Sequence, residues 1–209
     1  MKRTFFTTFF LVAVCALGAQ NHPEPYQLAP DYMQQILAHV IASDCRPMQL
    51  GNVGGRYIGH TRNNVFFGWG SYHTDGDNRW VGQWADGKCV FGILVKGNEA
   101  RVGADSHHIV YDLTRGLPLH IVAEGEVHHF TPAEAEAYPR RFLRLTYEGG
   151  DHYIGESING LPHGQGIYYW SDGSHWYGTF SQGYRQGYGA LFGTQGNIDY
   201  GLWLGNDKQ

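Results

Sequence analysis

Clusters of positive charge are missing from this chain. Fifteen lysines and arginines are dispersed over 209 residues and are outnumbered by nineteen acids, for a net charge of −4. A mildly acidic protein of that kind is a poor nucleic-acid binder, and it has no polybasic grip on anionic lipid. A long apolar run is missing too: Phe5 to Leu17, interrupted only by threonines, is too short to span a bilayer comfortably. There is no HExxH, no Cys/His ligand spacing and no carboxylate cluster to hold zinc.

What the N-terminus does contain is a basic start (Met1-Lys2-Arg3), the apolar run, and the small residues of Ala16-Leu17-Gly18-Ala19. That order reads as a secretory signal peptide over 1–19, with the mature protein secreted, periplasmic or extracellular. An uncleaved anchor is the alternative. Removal of Lys2 and Arg3 leaves thirteen bases against nineteen acids, about −6. Cys45 and Cys89 survive such processing, and an even count in an exported protein favours a disulfide between them. The bridge would close a long loop and contribute about 4 kcal/mol; two buried thiols are the other reading.

Residues 20–48 form a leader followed by an amphipathic helix. Asp31 and Gln34 make a capping box, and Tyr32, Met33, Ile36, Leu37, Val40 and Ile41 fall on one face. From 49 to 94 the pattern changes to alternation with Gly-rich turns, which predicts short antiparallel strands. Residues 95–141 stay β-like but lose regularity, with turns at Lys96-Gly97-Asn98-Glu99 and Thr114-Arg115-Gly116-Leu117. There Arg101-Val102-Gly103 reads as a decayed copy of an aromatic-x-Gly element. Thr131-Pro132-Ala133-Glu134 predicts a short inserted helix ending near Tyr138-Pro139. Strands resume over 142–209.

Glycine, at thirty residues, is abundant and periodic. Positions 155, 160, 164, 166 and 173 recur 23 residues later as 178, 183, 187, 189 and 196, all glycine. Tyr153-Ile154-Gly155 returns as Trp176-Tyr177-Gly178, and Tyr57-Ile58-Gly59 as Trp80-Val81-Gly82. Residues two apart on a strand share a face, so Trp176, Gly178 and Phe180 line one side. The glycine leaves room for a neighbouring ring to lie across it, and stacked hairpins of this type bury a continuous aromatic row.

These motifs resemble the MORN family (membrane occupation and recognition nexus). The resemblance rests on Tyr153-Ile154-Gly155-Glu156, Gly160, His163-Gly164-Gln165-Gly166, Tyr168, Trp170 and Asp172-Gly173, continuing into Trp176-Tyr177-Gly178-Thr179-Phe180. It implies an all-β fold: an elongated single-layer antiparallel sheet of stacked hairpins. It also implies protein association or scaffolding, and it supplies no catalytic residue.

The opposite face of the repeat carries Arg56, Arg79, His152 and His175 just before each leading aromatic, with Tyr177 two residues after His175. This stripe is a candidate partner-binding face for an acidic or sugar-like ligand, although a solvated sheet face is the commoner arrangement. Aromatics outside the template, Phe66, Phe67, Trp69, Tyr184 and Tyr188, are the candidates for exposure. Twelve histidines suggest metal, yet His107-His108 and His128-His129 are adjacent and point to opposite faces of a strand. Asp75-Gly76-Asp77-Asn78 is a hairpin turn, not a calcium loop. Gly155-Glu156-Ser157-Ile158-Asn159 lacks the second glycine of a nucleophile elbow. No catalytic residue, metal or cofactor is assigned.

The expected function is therefore an exported, non-enzymatic binding or scaffolding module of the cell envelope. Its partner is a protein or a second copy joined through the strand at Ile198 to Trp203, protected only by a short polar tail. The alternatives are an enzyme with its site among the histidines of the middle segment, and an envelope carbohydrate or membrane-surface binder.

Overall fold

The computed structural model describes residues 46–52, 55–74 and 78–209, the first of these as backbone. The signal segment expected over 1–19, the helix expected after Asp31, Cys45 and residues 75–77 lie outside the described residues. Two antiparallel meanders account for nearly all of the rest. The first sheet runs in chain order through β1 (Arg46–Asn52), β2 (Gly55–Arg62), β3 (Val65–Thr74), β4 (Arg79–Ala85), β5 (Lys88–Lys96), β6 (Glu99–Gly103), β7 (His107–Asp112), β8 (Leu117–Ala123) and β9 (Glu126–His129). Helix α1 (Pro132–Ala137) follows. The second sheet comprises β10 (Phe142–Thr146), β11 (His152–Ile158), β12 (Leu161–Tyr169), β13 (His175–Ser181), β14 (Tyr184–Phe192), β15 (Ile198–Leu204) and β16 (Asp207–Lys208).

The 23-residue period is a hairpin, as expected. Asn159-Gly160 turns β11 into β12 with φ of 52° and 76°, and Gln182-Gly183 repeats the turn with 50° and 88°. Two successive positive φ values define the tight hairpin turn whose twist matches that of the strands it joins. The template glycines then align across strands into two rows, Gly59–Gly70–Gly82–Gly92–Gly103 in the first sheet and Gly155–Gly166–Gly178–Gly189–Gly201 in the second. Gly103 completes its row, so Arg101-Val102-Gly103 is a copy of the element.

Rings lie flat over these rows. A methyl group at Gly59 or Gly70 would sit within 2.5 Å of the Tyr57 ring, and one at Gly166 within 2.4 Å of Tyr153. At Gly189 it would meet Trp176 at 2.3 Å. Tyr153 donates its hydroxyl to the Glu156 carbonyl at 2.8 Å, while Trp84 donates to the carbonyl of Gly70 at 3.1 Å. Each sheet thereby owns an aromatic cluster on its outer face: Tyr57, Trp84 and Cys89 in the first, Tyr153, Trp176, Phe180 and Trp203 in the second.

The architecture departs from a single layer. The two sheets face each other across one core that includes Ile58, Trp69, Val81 and Ile93 from the first and Ile154, Ile167, Tyr177 and Phe192 from the second. Trp69 meets Tyr177 edge-on at 5.9 Å between ring centroids. The physical reason is that both faces of each sheet are apolar. Aromatics over glycine fill one; Ile58, Val81, Ile154 and Tyr177, two positions after Arg56, Arg79, His152 and His175, make the other, and such a face must be covered. Here the chain covers itself. Residues 95–129 are not an insert either, because β5 passes through 94 and β6 to β9 extend the same sheet.

Helix α1 forms as its sequence predicts. Glu134 N donates to Thr131 Oγ1 at 3.3 Å, and Thr131 N to Glu134 Oε2 at 2.8 Å, a reciprocal capping box with Pro132 at the first turn. Past the helix, Phe142 N donates to the Gly116 carbonyl and Arg144 N to that of Leu113, which ties β10 to the β7–β8 turn. At the other end the polar tail is not loose: Asp207 and Lys208 form β16 against Leu204 and Trp203, and Gln209 N reaches Leu202 O.

Gly166→Ala should lower the free energy of unfolding by about 1–3 kcal/mol, since the added methyl collides with a ring that cannot retreat. Urea denaturation followed by tryptophan fluorescence measures it; an unchanged midpoint would contradict the ring-over-glycine packing.

Candidate functional site

The stripe of cations singled out in the sequence lies where the two sheets meet. On the inner face of the second sheet, register pairing places His152, Tyr169, His175 and Phe192 side by side on β11 to β14. Their rings stack in turn at 4.6, 5.4 and 5.0 Å between centroids, with interplanar angles of 15°, 28° and 15°. The equivalent ladder of the first sheet is Arg56, His73, Arg79 and Val95. The ladders face one another in opposite order. Arg56 donates to the Thr194 carbonyl at 2.9 Å, His73 lies 5.8 Å from His175, and the Arg79 guanidinium sits 5.0 Å from the Tyr169 centroid.

Ser71, fully buried, joins the two central histidines: its hydroxyl is 2.8 Å from His175 Nε2 and 3.2 Å from His73 Nε2. Both imidazoles are held neutral. Burial, reinforced by His73 and Arg79, pushes His175 down to about 3. Burial with the charges of Arg79 and Arg56 pushes His73 down to about 4. Tyr169 is raised to about 12 by burial, against the opposing pull of Arg79.

The pairing ends at Val95, which is shorter than the ring opposite it. There a cleft of about 380 Å³ opens between the sheets, with Arg79, Arg144 and His152 at its polar side and Val95, Ile154 and Tyr169 as its apolar lining. Arg144 donates Nη2 to the Gly97 carbonyl at 2.8 Å. Among the described residues, neither Arg79 nor Arg144 pairs with a carboxylate. The Tyr169 hydroxyl is buried beside Arg79. Burial and then the charges of Arg144 and Arg79 lower His152, so the three groups feel one another directly.

The sequence-predicted residues distribute as follows. Arg56, Arg79, His152, His175 and Tyr177 do converge, but on the opposite sheet, and Tyr177 is wholly buried. Phe67 and Trp69 are buried at 8% and 0% exposure; strand alternation puts them on the inner face, which the template did not mark as core. Phe66 stacks on Tyr57 at 3.8 Å and Tyr188 packs against the shared core, so of the five only Tyr184, at 57%, is exposed. Cys89 is a buried free thiol within the outer cluster of the first sheet, on β5, with three strands between it and β1. Burial raises its pKa far above the ordinary thiol range.

In the middle segment His120 and His129 pair across β8 and β9 with rings 5.3 Å apart, and His128 Nε2 lies 3.8 Å from Glu134 Oε2. Among the described residues no group of three or more His, Cys, Asp or Glu is placed to hold a metal ion. Sequence reasoning missed Arg144 and Tyr169. Tyr169 had a signal, since Phe192 repeats it 23 residues on, whereas Arg144 has Ile167 at that spacing and no repeat mate.

A fold of in-register hairpins with a glycine row under aromatic rings defines a repeat-built β protein. The MORN repeat family model matches residues 80–101, 153–175 and 176–198, so both sheets carry matched repeats. No curated protein matches the chain. Among solved structures, it is similar to the Drosophila melanogaster SAS-4 (dCPAP) TCP domain, solved in complex with a proline-rich motif of Ana2 (dSTIL). Identity is 14% over 74% of this chain and 94% of that one, and the TM-score of 0.22 carries no argument.

The histidine pair makes stability depend on pH. An unfolded histidine titrates at about 6.5, and in the fold His73 and His175 stay neutral until about 4 and about 3. Their contribution is therefore complete above pH 6.5 and is lost as pH falls toward 4, by up to about 1.4 kcal/mol per pH unit for each. Urea midpoints between pH 7.5 and 4 should show this slope, to which buried His60, also lowered to about 4, adds, and His175→Phe should make it shallower. Parallel slopes for the two proteins would contradict the assignment.

Proposed function

We propose that this chain is a non-catalytic binding module, exported by residues 1–19, which engages another protein through the hairpin tips of its second sheet. The observation that carries this reading is a row of exposed apolar side chains. Ile158 and Leu161 flank the β11–β12 turn, Tyr184 borders the β13–β14 turn and Leu204 the β15–β16 turn, at 53%, 50%, 57% and 45% exposure. Consecutive hairpins set these tips side by side, and Gly183 N donates to the Pro162 carbonyl at 2.9 Å between the first two. Leu161 and Tyr184 are 23 residues apart, so the repeat itself presents them.

Neighbouring apolar side chains left in water mark a partner's footprint. Aliphatic residues such as Ile158, Leu161 and Leu204 complement protein side chains, whereas sugar recognition asks for hydrogen-bonding groups beside an aromatic face. MORN repeats in both sheets support the same reading, because stacked repeats generate extended surfaces. The basic start, apolar run and small residues before position 20 support export.

Cross-linking capture from the native envelope should recover a partner with the wild type and lose it by more than about tenfold with Leu161→Glu/Tyr184→Glu, as expected for central apolar contacts. Circular dichroism and melting of the variant should match the wild type. Equal capture of the same proteins by both would overturn this surface.

A further inference from the structure

The cleft between the sheets lies at the other end of the strands from the apolar tips, since His152 opens β11 and Ile158 closes it. We propose that this cleft binds an organic carboxylate, its oxyanion held by the guanidinium groups of Arg79 and Arg144 and its apolar body seated against Val95, Ile154 and the Tyr169 ring. Three independent features converge on that chemistry.

First, two guanidinium groups face one cleft with no carboxylate for either among the described residues, in a chain whose acids outnumber its bases. Guanidinium presents planar, forked donors that match a carboxylate. Arg79 spends part of its donor set on Tyr169 and Arg144 one nitrogen on Gly97 O, so donors remain on both five-donor guanidinium groups. The acid whose charge reaches His152, Asp151, is engaged elsewhere: it accepts from Tyr168 Oη at 3.0 Å and from Ser171 N at 2.9 Å.

Second, the Tyr169 ring, with Arg79 beside it, borders the cleft and gives it an aromatic wall next to the cation. Third, the remaining lining is apolar apart from Thr146, and the volume of about 380 Å³ is that of a small-ligand site, larger than a bare inorganic anion needs. A carboxylate attached to a ring or short aliphatic body fits both halves of the lining. Such a group occurs on free organic acids and at the C-terminus of a peptide.

N-acetylphenylalanine and its neutral amide, titrated into the full chain by calorimetry and by NMR of the His152 ring protons, test the proposal. The acid should bind saturably and the amide should not. A carboxylate beside His152 also favours its protonated form, so the ring's titration should move to higher pH when the site is filled. Arg144→Gln should weaken binding about tenfold, the scale of one charge-assisted contact, while Arg144→Lys retains most of it. Arg144 is exposed, and melting checks that both variants stay folded. Equal affinity for acid and amide, no saturation by the acid, or full affinity in Arg144→Gln would overturn the site.

A peptide ending in phenylalanine with a free carboxylate identifies the source: tighter binding than the acetylated amino acid assigns a chain terminus, equal binding a small acid. The Leu161→Glu/Tyr184→Glu variant should bind the acid normally. The carboxylate site and the protein-docking surface therefore stand or fall separately.

Discussion

The two facing ladders between the sheets are the contact on which the rest of the structure depends. A strand position that begins with Arg or His belongs on a solvated face, yet here four such positions are folded inward. Burial is tolerable because the two halves use different residues. The second sheet contributes rings, with His152 and His175 stacked among Tyr169 and Phe192. The first contributes cations, and the Arg79 guanidinium sits 5.0 Å from the centroid of Tyr169. The central histidines avoid the cost of a buried charge by remaining neutral, a state that the neighbouring arginines reinforce.

With that interface closed, each sheet still has to hide its outer face, and the glycine rows accomplish this without a third layer. A ring lying over two cross-strand glycines is covered on one side by backbone and on the others by neighbouring rings. Tyr153, Trp176 and Tyr57 are accordingly buried although, among the described residues, no second sheet covers them. The same geometry locks register, because a slip of one residue would place a side chain under the ring. Directly after the glycine row, hairpins such as β11–β12 and β13–β14 shift register, at Gly155/Ser157 and Gly178/Phe180. Such bulges increase local twist, and beyond them lie the tips that leave Leu161 and Tyr184 in water.

The repeat was legible because it is local. Turn glycines, hairpin pairing and the aromatic-over-glycine rule follow from residues within one 23-residue unit, and α1 follows from four adjacent residues. The sandwich was not legible in the same way, because it joins residues about a hundred positions apart. The apolar character of Ile58, Val81, Ile154 and Tyr177 was visible; that it belonged to a shared core was not, since one-sided burial already satisfied the template. Phe67 and Trp69 illustrate the cost. Counting alternate residues back from Ser71, on the strand paired with Ile58, would have placed both on the inner face. Of the cleft, Arg79 and His152 were found through the period. Arg144 could not be, as it follows no repeat and reaches the site only through the pairing of β10 with β11.

Related sequence in two halves usually suggests that either half could pair with a copy of itself. Here the electrostatics argue otherwise. Two copies of the first sheet would set Arg56, His73 and Arg79 against the same residues, burying like charges with no ring to receive them. Two copies of the second would stack rings on rings and leave no cation between them. Only the mixed pairing satisfies both ladders, so divergence between the halves is what makes the sandwich specific. The cleft is a by-product of the same divergence. Val95 stands in the first sheet where the second has Phe192, and the space opposite His152 that a ring would occupy is open. One large-to-small difference at the end of a ladder thus converts packing into a site.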